Sequence, residues 1–352
     1  MTDPEESAGD VAAAHRFDEA RLVAYLGQHI DDFGGEVEVR QFSGGASNPT
    51  FLLTAWAGER ARRFVLRKKP PGALLQSAHQ VDREYRIMAA LAATEVPVPT
   101  MRVLCRDPSV IGTDFYVMDW LAGRVFRDAA LPDLTPEERR AVYDELNATL
   151  AKLHQVDFDA VGLSDFGRRG GYFARQIDRW TRQYRGAETK AIPAMERLIE
   201  RLPELIPSDD SISIAHGDYR LENVMFHPTE PRLIAVLDWE LSTIGHPLAD
   251  LAYNAFLWRS ESKTWGSLKG LDLAALGIPT EAEYVAAYRR RTGRGPIADW
   301  SFYVAFGVFR LASISQGVYR RVLDGVVASP RERVNGTPAL AEAALAILDG
   351  KA

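Results

Sequence analysis

The chain has 352 residues, more than twice the ~150 of a typical domain, so two domains or lobes are expected. With 46% hydrophobic and 26% charged residues, 27 Gly and 19 Pro, it has the composition of an ordinary globular protein, outside the collagenous and disordered classes. Forty-eight Asp and Glu against 42 Lys and Arg leave a net charge of −6, which offers no overall attraction to nucleic acid or to an anionic membrane surface.

The single cysteine, Cys105, excludes an intrachain disulfide framework. The opening MTDPEESAGD lacks the basic start and apolar stretch of a secretory signal, and no run reaches the ~18 apolar residues of a membrane span, so a cytoplasmic location is expected. Residues 1–15 are small and acidic and read as a flexible tail. Behind Asp18, a plausible cap, Leu22, Val23, Leu26 and Ile30 form a stripe at helical spacing. Three strand-like runs follow, EVEVRQF, TFLLTAW and RRFVLRKK, with the loop SGGASNP between the first two. A helical stretch from Ser77 to Ala92 precedes two further strands, MRVLC and FYVMDWL. From Pro132 the texture becomes helical: Thr135 and Glu138 form a capping box ahead of an apolar face of Val142, Leu146, Leu150 and Leu153. The exception is residues 211–239, where SISIA, NVMF and RLIAVLDW read as short strands.

That exception carries the chemistry. Asp218, Asn223 and Asp238 lie in a strand, loop, hairpin and strand that would bring two carboxylates and an amide to one edge. Asn and Asp oxygens suit a hard octahedral Mg²⁺ that keeps waters and phosphate oxygens as its other ligands, which leaves Asp218 for an acceptor proton. Phosphoryl transfer needs this arrangement: charge neutralisation and an attacking hydroxyl held in line. A lone His-Gly-Asp is ordinarily a turn, and it is the ordered partners that change its meaning.

His216-Gly217-Asp218 followed by Asn223 resembles the catalytic loop of the aminoglycoside phosphotransferase and choline kinase group, and Asp238-Trp239-Glu240 stands where protein kinases carry Asp-Phe-Gly. The resemblance runs over nearly the whole chain, and it implies an α+β, bilobal protein-kinase-like fold. A small antiparallel-sheet lobe would occupy residues 16–120 and a mostly helical catalytic and acceptor-binding lobe residues 121–352, with ATP between them. It further implies Asp218 as catalytic base and Asn223 and Asp238 as magnesium ligands. Gly44 and Gly45, with Ser47, would approach phosphate. Val65, Arg67 and Glu84 would serve the nucleotide, Met118 would border the adenine, and backbone groups of Asp119, Trp120 and Leu121 would bond its edge. Asp250 would brace the catalytic loop. Arg67 departs from the family pattern, which has lysine at this place; alternation puts Val65, Arg67 and Lys69 on one strand face and Lys68 on the other, which makes Lys69 the second candidate. His216 and His154 are read as structural, Trp239 and Trp258 as packing residues, and Glu240 as a metal-water contact or a surface carboxylate.

From Ala255 onward there are thirteen Lys or Arg against nine Asp or Glu, an excess that argues against a polycationic acceptor. Arg310, Arg320 and Arg321 are candidates for anion contacts. The segments VLRKKPPG, LDWELSTIGHPLADLAY and FRLASISQGVYRR are similar to phosphotransferase-like domains fused to acyl-CoA dehydrogenases, which brings a hydroxyacyl compound into the candidate set. The expectation is a kinase that phosphorylates a hydroxyl of a small neutral or anionic metabolite. Its alternatives are an aminoglycoside O-phosphotransferase and a non-catalytic nucleotide-binding regulator.

Overall fold

A computed structural model describes residues 8–31, 33–42, 48–70, 80–261, 267–325 and 334–351. Gly44, Gly45 and Ser47 lie outside the described residues, as do the first seven positions and residues 77–79. The chain forms two compact units. One comprises the chain through Arg127 with Asp159–Leu163 and Leu221–Ser242; the other comprises Asp128–Phe158, Ser164–Arg220 and Thr243 onward.

The first unit is built on an antiparallel sheet of strands β1 (Ala8–Gly9), β2 (Glu36–Phe42), β3 (Thr50–Ala57), β4 (Arg60–Lys68), β5 (Met101–Cys105) and β6 (Phe115–Asp119), in the order β1-β2-β3-β4-β6-β5. Five of these strands match the runs expected from their β-branched and aromatic residues. The sixth, Ala8–Gly9, pairs with Gln41 and Phe42 in a segment read from composition as tail, because a strand edge offers backbone partners to any sequence. Helix α1 (Glu19–His29) begins where Asp18 accepts the Arg21 N–H at 3.0 Å. It buries Leu22 and Leu26 against Phe51, Leu53, Phe64, Leu66 and Phe115, the residues on one face of the sheet. Strand alternation therefore turns Val65 and Arg67 to the opposite face, in register with Met118 and Tyr116. Helix α2 (Val81–Leu91) follows, and the four-residue helix α3 (Pro108–Ile111) links β5 to β6.

Within the same unit, β8 (Val224–Phe226) and β9 (Leu233–Val236) form a hairpin, numbered after β7 (Ser213–Ala215) of the second unit. Arg124 and Phe226 exchange two backbone hydrogen bonds of 2.8 Å, which tie the hairpin to the segment leaving β6. Gly123 makes this approach possible: a Cβ there would lie 2.6 Å from the Phe226 carbonyl oxygen and 2.4 Å from Met225 Cγ.

The second unit is largely helical: α4 (Pro136–Gln155), α5 (Tyr172–Ala187), α6 (Pro193–Glu204), α7 (Pro247–Ala255), α8 (Leu273–Leu276), α9 (Glu281–Thr292), α10 (Trp300–Leu323) and α11 (Thr337–Leu348). Its α4 opens with the expected capping box of Thr135 and Glu138. Strand β7 pairs with β10 (Thr243–Gly245), a short strand not anticipated from the sequence, and α7 leaves directly from β10. Helix α10 is buried along most of its length and packs on α5, α7 and α11. At the start of α7, His246 is 1% exposed; its Nδ1 accepts the Leu248 N–H at 3.2 Å, and Nε2 lies 3.6 Å from Asp209. Burial, opposed by Asp209, pushes this imidazole down to about 4.

Two outcomes are expected. Gly123→Ala should destabilise the protein by about 1–3 kcal/mol in urea titrations, because the hairpin must move to admit the methyl group. For His246 the unfolded chain takes up a proton below about pH 6.5 while the folded chain resists until about pH 4, so stability is full above that window and falls as the pH drops through it. His246→Asn keeps a cap for Leu248 and removes this titration. The difference in unfolding free energy between wild type and variant should shrink by an amount on the order of 1–3 kcal/mol from pH 7 to pH 4.5, and a constant difference would refute the assignment.

Candidate active site

In the first unit, Arg67 on β4 faces α2 and the end of the hairpin. Its Nε lies 3.2 Å from Glu84 Oε2, an ion pair not aligned as a hydrogen bond. An Nη atom donates to Asp238 Oδ1 at 3.0 Å and lies 3.7 Å from Glu240. The Arg67 side chain is 13% exposed and Glu84 1%. Burial works against the Arg67 charge, but Glu84, Tyr116, Asp238 and Glu240 outweigh it, and the guanidinium is held more firmly protonated than usual. Burial pushes the Glu84 carboxyl up; Arg67 and hydrogen bonds from Tyr116 (3.1 Å) and Asn48 (2.8 Å) pull it back.

Tyr116 and Asn48 were not anticipated from the sequence as part of this cluster. Tyr116 was within reach of strand register, since it pairs across from Arg67. Asn48, fully buried, closes the glycine loop, and nothing in its local pattern distinguishes it from a turn residue. The two lysines beside Arg67 go elsewhere. Lys69 binds Asp114 at 2.6 Å, and Lys68, on the opposite strand face as alternation requires, lies over the rings of Phe17 and Phe51 at 5.4 and 5.8 Å. Burial lowers the Lys68 ammonium.

The hairpin brings Asn223 and Asp238 to one end. Val224 pairs with Val236, and the Leu237 N–H donates to the Asn223 carbonyl at 2.8 Å, so Asp238 follows the last paired residue. Asp238 adopts a left-handed backbone, φ 61°, which turns the chain toward Arg67 and into the short helical turn Trp239–Leu241. Its side chain remains 35% exposed. Trp239 is buried and donates its indole N–H to Val236 at 3.0 Å, as a packing residue. Among the described residues no cluster of three or more His, Cys, Asp or Glu is placed to hold a metal, so a cation here would rely on the amide and carboxylate oxygens of Asn223 and Asp238.

At the end of β6, Val65 and Met118 form a cross-strand pair. The Asp119 N–H donates to Thr100 and the Trp120 N–H to Arg63, at 2.9 and 3.2 Å, and the Asp119 carboxylate binds Arg102. Of the three amides read as an adenine edge, those two are used within the fold. Among the described residues the Leu121 N–H has no such partner.

The second unit holds Asp218. Its backbone N–H donates to His216 Nδ1 at 3.1 Å. The nearby Tyr253 hydroxyl is pushed well above its usual range by burial and then by the Asp218 charge. The loop is held from α7: Asp250 accepts the N–H groups of His216 at 2.6 Å and Gly217 at 2.8 Å, and His154 Nε2 lies 3.4 Å away. Burial opposes the Asp250 charge, but His154, His216 and the Gly217 N–H hold the carboxyl below its usual range. His154 and His216 are thus structural, as expected. Trp258, read as a packing residue, is buried against Tyr143 and Tyr284 and donates to the Pro279 carbonyl at 2.7 Å.

Residues 38–303 match the phosphotransferase enzyme family. The mouse acyl-CoA dehydrogenase family member 10 is 46% identical over 93% of this chain. This and the next curated relatives are longer proteins, of which the chain spans 30–43%. A Ralstonia eutropha protein solved as a candidate aminoglycoside phosphotransferase is 47% identical, with a TM-score of 0.86 over 95% of this chain and 99% of that one. A thermostable aminoglycoside phosphotransferase variant solved with AMP-PNP and hygromycin B shares the fold at 16% identity, with a TM-score of 0.59 over 94% and 98% of the two chains. With a phosphotransferase match across most of its length and an α+β protein-kinase-like fold, the chain belongs to the phosphotransferase enzyme family.

Proposed function

We propose that the chain transfers the γ-phosphoryl group of ATP to a hydroxyl of a small neutral or anionic metabolite. The observation that carries this reading is the buried Arg67, bound to Glu84 and Asp238, in a chain of this family. Lysine is the family residue at this place, and arginine performs the same task with a wider fork: Nε engages Glu84 while the Nη groups face the hairpin and phosphate oxygens. Gly44, Gly45 and Ser47 would cradle the phosphates. Val65 and Met118 would cover the adenine, and the Asp119–Leu121 backbone would bond its edge, with the Leu121 N–H as donor.

The donor set at the hairpin end fits a hard divalent cation, because Asp238 gives Arg67 only Oδ1 and remains partly exposed beside Asn223. Mg²⁺ held by Asn223 and Asp238 would neutralise phosphate charge. Arg67 screens the same oxygens from the protein side. On the acceptor side Asp218 takes the hydroxyl proton as the oxygen bonds to the γ-phosphorus and the bond to the ADP oxygen breaks. Asp250 fixes the backbone that carries that carboxylate.

The local excess of basic residues disfavours polycationic aminoglycosides, and the acyl-CoA dehydrogenase names of the relatives support a hydroxyacyl acceptor. A non-catalytic regulator is disfavoured by the joint presence of Asp218, Asn223 and Asp238. ATP consumption should be measured with hydroxy acids, acyl thioesters, sugars and aminoglycosides. Asp218→Ala should cut transfer by at least about a hundredfold while leaving nucleotide binding intact, and Asp238→Ala should also lose magnesium-dependent nucleotide affinity by calorimetry. Undiminished transfer in either variant would overturn the roles, and nucleotide binding without turnover on any acceptor would favour the regulator.

A further inference from the structure

Arg310 stands apart from the other arginines of the second unit. Arg259 pairs with Glu281, Arg291 with Asp144 and Arg294 with Asp209, all at the partly exposed rim. Arg310 lies in the middle of α10, is 5% exposed, and among the described residues forms no ion pair. Its Nε and one Nη are buried without a hydrogen-bond partner. The guanidinium carbon sits 5.5 Å from the Trp180 ring centre on α5 and 5.1 Å from that of Tyr253 on α7, a clamp of two aromatic faces. The packing that holds it is close, since Gly307, one turn earlier, would bring a Cβ to 3.5 Å from the Tyr253 Cα.

The nearby charges do not neutralise it. Arg179 on α5 has its pKa lowered by burial and then by the positive charge of Arg310, and Arg220 adds a second positive influence at Tyr253. Arg310 lies over the Tyr253 ring, and the charge of Asp218 reaches the hydroxyl of the same tyrosine. A guanidinium stays charged at any physiological pH, and an arginine needed only for packing is costly to bury without a carboxylate. Such an arrangement is typical of groups kept for a ligand at the expense of stability. Arg320 and Arg321, also weighed as anion contacts, are exposed, and Arg320 is paired with Asp324.

We propose that Arg310, with Arg179 beside it, receives an oxyanionic group of the acceptor, a carboxylate or phosphate, one tyrosine ring from the carboxylate that takes the hydroxyl proton. The proposal rests on the phosphotransferase reading for the identity of the acceptor, while the anion site itself can be tested without turnover. It narrows the substrate to a hydroxy compound bearing a negative charge several bonds from the reacting hydroxyl. Tyr253 then stands between the two ends of the substrate: its hydroxyl lies within the field of Asp218, and its ring face holds the cation that reads the far end.

The test is calorimetric titration of nucleotide-free protein with inorganic phosphate and, separately, with acetate, at constant ionic strength; comparing the two distinguishes phosphate from carboxylate. Wild type should bind one or both saturably. Arg310→Met should bind at least tenfold more weakly, Arg310→Lys should fall between, and Arg320→Met, at an exposed residue already paired with Asp324, should bind as wild type. Without added anion, Arg310→Met should melt at the same temperature as wild type or higher, because an uncompensated buried charge has been removed. For any acceptor that is turned over, Arg310→Met should raise KM at least tenfold with a smaller change in kcat. Unchanged anion binding in Arg310→Met, no saturable binding to wild type, or a loss of thermal stability in Arg310→Met would each overturn the proposal. Arg310-dependent anion binding without phosphorylation of any acceptor would uphold the subsite and sink the kinase reading instead.

Discussion

The Arg67 guanidinium is sustainable on β4 only because counter-charge reaches it from two other elements, Glu84 from α2 and Asp238 from the end of the hairpin. Removing one partner from a buried pair ordinarily costs several kcal/mol, since the survivor is left charged and dry. Strand, helix and hairpin are therefore bound to one another through a single side chain although they lie far apart in sequence. Tyr116 and Asn48 add their hydrogen bonds to Glu84, so both carboxylate oxygens are occupied and its direction is set. A lysine would bring one ammonium to this junction. The guanidinium offers separate nitrogens to separate carboxylates, which explains how an arginine occupies the place without disturbing its neighbours.

A comparable economy operates in the second unit around Asp250. One buried carboxylate accepts two consecutive backbone N–H groups, which fixes the path of the chain immediately before Asp218. The constraint comes from α7, whose first turn is set by the His246 cap and whose last turn carries Tyr253. The helix that shapes the loop thus also carries a buried hydroxyl on which the charge of Asp218 acts.

Much of this was legible in the sequence, for identifiable reasons. The strands of the first sheet announced themselves through β-branched and aromatic alternation, and the α4 capping box through Thr135 and Glu138. The strand, hairpin and strand read around Asn223 and Asp238 do bring these two to one end of a hairpin, and Asp250 was found at the loop it was expected to brace. What escaped depends on partners distant in the chain. Ala8–Gly9 became a strand only because β2 presented a free edge. The Thr243–Gly245 strand is too short to show a period. Nothing in the local sequence marks Tyr253, and the isolation of Arg310 is invisible until its neighbours are known not to be carboxylates. The use of the Asp119 and Trp120 amides inside the fold likewise follows from strand register, which residue type does not encode.

Because the first unit collects three separate stretches of the chain, with Leu221–Ser242 returning to it after α4, α5 and α6 have been traversed, neither unit corresponds to a contiguous stretch of gene. A cut after Arg127 would strip the sheet-bearing portion of the β-ribbon that carries Asn223 and Asp238. Recombination that swaps whole modules between paralogues would break this weave. Diversification of such a protein is therefore channelled into point replacements and loop-length changes, with the interlaced scaffold inherited entire.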